Sequence, residues 1–126
     1  MVLFLLLGVY FKEKIVDKEL IMYARTAFCP DVMRAVRFLD KNNIPYRRID
    51  IDRDEQAGEL VENLLGHRSV PTLVVAKKGE TTPVEEPAPL AGRNARSVDR
   101  GSMITEPSDD ALSRFLERNG LVGAIA

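Results

Sequence analysis

Ser69-Val70-Pro71-Thr72-Leu73-Val74-Val75-Ala76 sets a proline one residue ahead of a short run of β-branched and aliphatic side chains. Such a run, four to eight residues long, reads as a strand buried on both faces. Only X–Pro bonds take the cis form cheaply, so Val70-Pro71 is a candidate cis bond. That geometry turns the Val70 backbone outward and leaves its N–H and C=O free to pair with a peptide-like ligand. An ordinary trans proline opening an edge strand is the plainer reading of the same residues.

Working upstream, Leu20-Ile21-Met22-Tyr23-Ala24 is a second short apolar run suited to a buried strand. Arg25 to Phe28 form a loop, and Cys29-Pro30-Asp31 reads as a helix start. Proline is at home in a first helical turn, and an acidic neighbour suits the positive end of the helix dipole. The spacing predicts a helix from Pro30 to Asn42 with Val32, Ala35, Val36 and Leu39 on one face. After Pro45, Tyr46 to Asp52 alternate in a strand-like way, and Asp54 to Leu65 form a second helix capped by Gly66.

Downstream of the 72–76 strand, Lys77-Lys78-Gly79 reads as a turn. Glu80 to Ser102 then hold prolines, glycines and scattered charges without an apolar period, which predicts a mobile insertion. Met103-Ile104-Thr105 resumes as a strand. Ser108 is the expected N-cap of a last helix carrying Ala111, Leu112, Phe115 and Leu116. The order strand, helix, strand, helix, strand, strand, helix predicts an α/β fold: a mixed sheet of about four strands with helices on both faces. Strands separated by helices favour parallel pairing, and the pair flanking the insertion favours antiparallel pairing.

At 126 residues the chain has room for one domain. We divide it into an N-terminal extension over 1–17, a domain over 18–121 carrying the 80–102 insertion, and a tail over 122–126. Residues 2–11 are largely apolar, about half of what a membrane span requires, and read as an extra strand, a tail or an anchor. Eighteen Lys and Arg against 19 Asp and Glu remove the electrostatic argument for a nucleic-acid binder. One cysteine, Cys29, excludes an internal disulfide, and with His67 its sole histidine companion no metal site is expected. A thiol at the amino end of a helix faces unpaired N–H groups that favour the thiolate. An isolated cysteine can equally be a small buried hydrophobe.

Taken together, these segments resemble the glutaredoxin family of the thioredoxin-like fold, over about 20–76 and again over 103–121. Cys29-Pro30-Asp31-Val32 stands where that family carries Cys-Pro-x-Cys, and Ser69-Val70-Pro71-Thr72 resembles its cis-proline segment. Ser108-Asp109-Asp110 is similar to the stretch opening its last helix. The resemblance implies a nucleophilic Cys29, a cis bond at Pro71, and glutathione as co-substrate. It also implies glutathione contacts from Val70 through its backbone, Ser108 and Asp109 at the γ-glutamyl end, and Arg25 and Arg68 at the glycine carboxylate. For each arginine a solvated surface charge is the plainer reading.

Val32 replaces the resolving cysteine, so the implied activity is a monothiol thiol–disulfide oxidoreductase. Its clients would be glutathionylated or disulfide-containing proteins, and the chain a cytoplasmic monomer, with a dimer as the alternative. Glu106-Pro107 stands where the family carries a glycine pair, which adds a negative charge near the implied ligand. Two other readings compete. One is an iron–sulfur carrier, which usually shows Cys-Gly-Phe-Ser and an upstream Lys where this chain has Pro30, Asp31 and Arg25. The other is a thioredoxin-fold binding module that has lost the chemistry.

Overall fold

A computed structural model of the chain describes residues 17–122; all but the last residue of the extension expected over 1–17, and the last four residues of the chain, lie outside them. Seven elements follow in order: β1 (Lys18–Ala24), α1 (Pro30–Lys41), β2 (Arg47–Asp50), α2 (Glu55–Leu65), β3 (Thr72–Lys77), β4 (Met103–Thr105) and α3 (Asp109–Arg118). The strands form one sheet in the order β2-β1-β3-β4. β2 runs parallel to β1, with Ile21 opposite Arg47. β3 is antiparallel to β1, Tyr23 facing Thr72, and β4 is antiparallel to β3, Thr72 facing Thr105.

The parallel pairing expected of helix-separated strands therefore holds for β1 and β2 but not for β3. A strand buried on both faces reads the same in either direction, so the hydrophobic pattern carries no information about β3's orientation. Leu20 through Ala24 are all buried, and successive side chains point to opposite faces, so β1 is covered on both sides. α1 and α3 touch one another and so share one face of the sheet. α2 adds Ala57, Val61 and Leu65 to the same core.

The helix ends follow local chemistry. The Asp54 side chain accepts from the Ala57 N–H at 3.1 Å and caps α2, while Gly66 closes it at φ +87°. That left-handed turn is open to glycine at no steric cost. Replacing Asp54 with alanine is expected to lower stability by about 1 kcal/mol, read as a shift of the urea midpoint at constant slope.

Composition predicts a mobile insertion over 80–102, yet the structure gives the segment a defined path. Val84 donates to the Val75 carbonyl at 2.8 Å and Ala88 to that of Arg100 at 2.9 Å. Ser102 Oγ accepts from the Glu85 N–H and donates to the Glu85 carbonyl. Arg100 is buried and spends its guanidinium on two carbonyls, those of Ala88 and Leu64. Burial pulls its pKa down, because it strips water from the charged guanidinium. Ala95 supplies an apolar anchor, and Arg96 bridges to Thr105 beside β4. These long-range backbone and side-chain bonds replace the hydrophobic period that the segment lacks.

Candidate active site

Sheet topology brings the separate motifs to one end of the molecule. The C-terminal end of β1 lies beside the N-terminal end of β3, which lies beside the C-terminal end of β4. The loop to Cys29, the 68–71 turn and the 106–108 turn consequently meet there. Val70-Pro71 is cis, and the Pro71 carbonyl accepts from the Glu106 N–H at 2.7 Å. Thr72 Oγ1 donates to the Ser69 carbonyl at 2.9 Å and contacts Thr105 Oγ1 at 3.0 Å. The turn before β3 is thus tied to the end of β4.

Cys29 is the N-cap of α1, in extended conformation, with its side chain making no capping bond. It is part-exposed, and its carbonyl accepts from Met33 N–H at 3.0 Å. It packs against the core on its inner side. Two residues missed in the sequence hold the loop ahead of it. The Asp52 carboxylate accepts from the Thr26 N–H at 2.9 Å, the Thr26 hydroxyl at 2.6 Å and the Ala27 N–H at 3.4 Å. Arg48 Nη2 donates to the Arg25 carbonyl at 2.9 Å. Cys29 opens onto a cavity of about 560 Å³ whose apolar wall includes Phe28, Met33 and Val36. Arg25, Arg37, Asp40 and Arg48 complete the rim. Phe28 is 79% exposed there, an unusual state for a large aromatic side chain.

The Thr26 hydroxyl bonded to Asp52 holds its carboxyl below the usual range, helped by the two backbone N–H groups. A depressed folded pKa stabilises above the unfolded value and is lost as pH falls through the folded one. Asp52→Asn should therefore be less stable than the parent at neutral pH. The gap should close on acidification below about pH 4, followed by thermal unfolding across pH.

The glutaredoxin family model matches residues 20–80. Over those residues the chain is similar to glutaredoxins. No curated protein matches the sequence. The mixed four-stranded sheet with three helices is the thioredoxin-like fold of that family. Glutaredoxins have a thiol–disulfide oxidoreductase role, use glutathione as co-substrate and act on glutathionylated proteins.

Within the matched residues, the two arginines expected at a carboxylate differ. Arg25 Nη2 donates to the Arg68 carbonyl at 3.2 Å and lines the Cys29 cavity. Arg68 is turned toward α2, where its guanidinium lies on Gly58 and pairs with Glu55 at 2.8 Å and Glu62 at 3.4 Å. A Cβ on residue 58 would stand 2.6 Å from Arg68 Nη1, so glycine keeps that pairing open. His67 Nδ1 lies 2.7 Å from Ser69 Oγ on the exposed surface.

At the start of α3, Ser108 Oγ caps the helix by accepting from Ala111 N–H at 3.2 Å, and its own N–H donates to Ser97 Oγ at 2.9 Å. Asp109 and Asp110 are exposed, and line a second cavity of about 340 Å³ with Arg34, Arg96 and Glu106. Glu106 has φ +45°, the left-handed region that glycine enters freely. Its carboxylate does not stand alone beside the site: Arg96, which sequence reasoning missed, pairs with it. Arg96 also pairs with Asp31 at 3.1 Å, across 65 residues of chain. No local pattern could have announced a partner that distant.

Among the described residues no helix is long and apolar enough to cross a membrane.

Proposed function

We propose that this chain is a monothiol oxidoreductase that reduces mixed disulfides between proteins and glutathione, with Cys29 as the nucleophile. The observation that carries the reading is the position of Cys29. It caps α1 with a side chain free of capping duty, part-exposed, at the sheet end shared with the cis Val70-Pro71 turn. The Cys29 thiolate attacks the glutathione sulfur of the client disulfide, and the client sulfur leaves as a thiolate and takes a proton. A second glutathione thiolate then attacks the Cys29–glutathione disulfide, releasing oxidised glutathione and restoring Cys29. The net exchange converts the mixed disulfide and one glutathione thiol into a client thiol and oxidised glutathione, one disulfide breaking for each that forms. Val32, buried in the first turn of the helix that Cys29 caps, supplies no second thiol for an internal disulfide.

Val70 would pair its backbone with the glutathione backbone beside Pro71. Arg25 suits the glycine carboxylate better than Arg68, whose guanidinium is already spent on Glu55 and Glu62. Asp109 would meet the γ-glutamyl amine and Ser108 would shape that end of the site. The domain is read over 18–121, acting as a cytoplasmic monomer where glutathione is kept reduced. The test is turnover of a glutathionylated peptide by reduced glutathione, followed as oxidised glutathione. Catalysed turnover that needs Cys29 is the expected result, and a rate equal to the uncatalysed exchange overturns the proposal.

A further inference from the structure

The first turn of α1, the 80–102 loop and the β4–α3 turn meet in a cluster of charged side chains to which the proposed reaction gives no role. Arg96 donates from Nη1 and Nη2 to the two Asp31 oxygens at 3.1 and 3.2 Å, and from Nη1 to Glu106. Arg34 reaches Asp31 from the same helix at 2.8 Å. Asp31 stands two residues after Cys29, in the first turn of the helix that the thiol caps. A carboxylate there suits the helix dipole but repels a thiolate at the same end. Arg96, hydrogen-bonded to Asp31, holds its carboxyl below the usual range, so the aspartate stays charged throughout the neutral range.

We propose that Arg96 is a positioning residue for the thiol: its two-pronged ion pair cancels the Asp31 charge at the start of α1 and so sets how readily Cys29 ionises. The inference rests on Cys29 being the reacting group, as proposed above. The other charges around Cys29 fall on two sides. On the cavity side Arg25, Arg37 and Arg48 face Asp40, with Asp50 paired to Arg48 and Asp52 bonded to Thr26 and Ala27 ahead of Cys29, and none of these groups depends on Arg96. On the cluster side Asp31 and Glu106 are balanced by Arg34 and Arg96, with Asp109 and Asp110 on the far wall. Without Arg96 that side is one charge more negative. The 80–102 loop thereby tunes a residue more than sixty positions upstream through one side chain.

Cys29 is the chain's single thiol, so its alkylation by iodoacetamide can be read on the whole protein. The rate is to be measured from about pH 5 to pH 9 in low salt. Arg96→Gln should alkylate about threefold more slowly on the acidic limb and reach the same plateau at high pH. Arg96→Lys should recover part of the loss, and Asp31→Asn in the Arg96→Gln background should recover most of it. Asp31→Asn alone should alkylate at least as fast as the parent, and salt near about 0.5 M should narrow every difference. An Arg96→Gln profile superimposed on the parent's overturns the inference. So does a lowered plateau that Asp31→Asn fails to restore. Alkylation needs no glutathione, so these outcomes are read separately from failure of glutathionyl turnover.

Discussion

Cys29→Ser is expected to bring glutathionyl turnover down to the uncatalysed rate while leaving the thermal midpoint unchanged. Serine matches the thiol in shape, and the Cys29 side chain makes no capping bond whose loss would loosen α1. The hydroxyl would even be a competent cap, since serine oxygen accepts readily from the second or third N–H of a helix. What it cannot do is form a disulfide, and every step of the monothiol cycle passes through one. The loss is therefore of the reaction, not of a fraction of its rate. Mass spectrometry of the parent after exposure to oxidised glutathione should show one added glutathionyl group, absent from the variant. A variant that retained catalysed turnover would remove Cys29 from the mechanism.

Phe115→Ala should have the largest effect on stability. Phe115 is fully buried on α3 between Leu112 and Leu116, with the Arg118 guanidinium 5.9 Å from its ring centre. Truncating a buried phenylalanine loses its transfer energy and leaves a cavity that the surroundings fill only in part, about 3–5 kcal/mol. For a domain of this size the midpoint should fall by on the order of 15 °C. α3 also packs against α1, so the loss reaches the helix that Cys29 caps. A fall of only a few degrees would mean that α3 closes over the gap.

Much of this fold is written in short-range chemistry. Asp54 and Ser108 cap their helices through the N–H groups three residues on, as their positions ahead of apolar runs announce. Gly66 takes the left-handed turn after Leu65, and Pro30 opens α1. The Arg34–Asp31 pair is an i, i+3 contact visible in any helical reading of residues 30–41. The features that escaped are long-range. β3's direction depends on which neighbour it finds, and the course of 80–102 depends on carbonyls of β3 and α2 that accept from it. Of the candidate site, Cys29 at the start of α1 and the cis bond at Pro71 were expected from the sequence, while the tie between the 68–71 and 106–108 turns was not. Arg96 was not, and neither was the turning of Arg68 toward Glu55 and Glu62, because the acids that claim both side chains are nowhere near them in helical or strand register.

The phenol of Tyr23 gives the molecule an optical readout. Its hydroxyl, fully buried in β1, donates to the Thr81 carbonyl at 2.6 Å, just inside the loop that later delivers Arg96. Burial pushes its pKa up to about 12. The chain has no tryptophan and only three tyrosines, so its near-ultraviolet absorption is chiefly that of phenols. Should the loop detach from β1, water reaches this hydroxyl and its phenolate band emerges at lower pH. A spectrophotometric titration of the unlabelled protein thus registers whether the segment carrying Arg96 is docked.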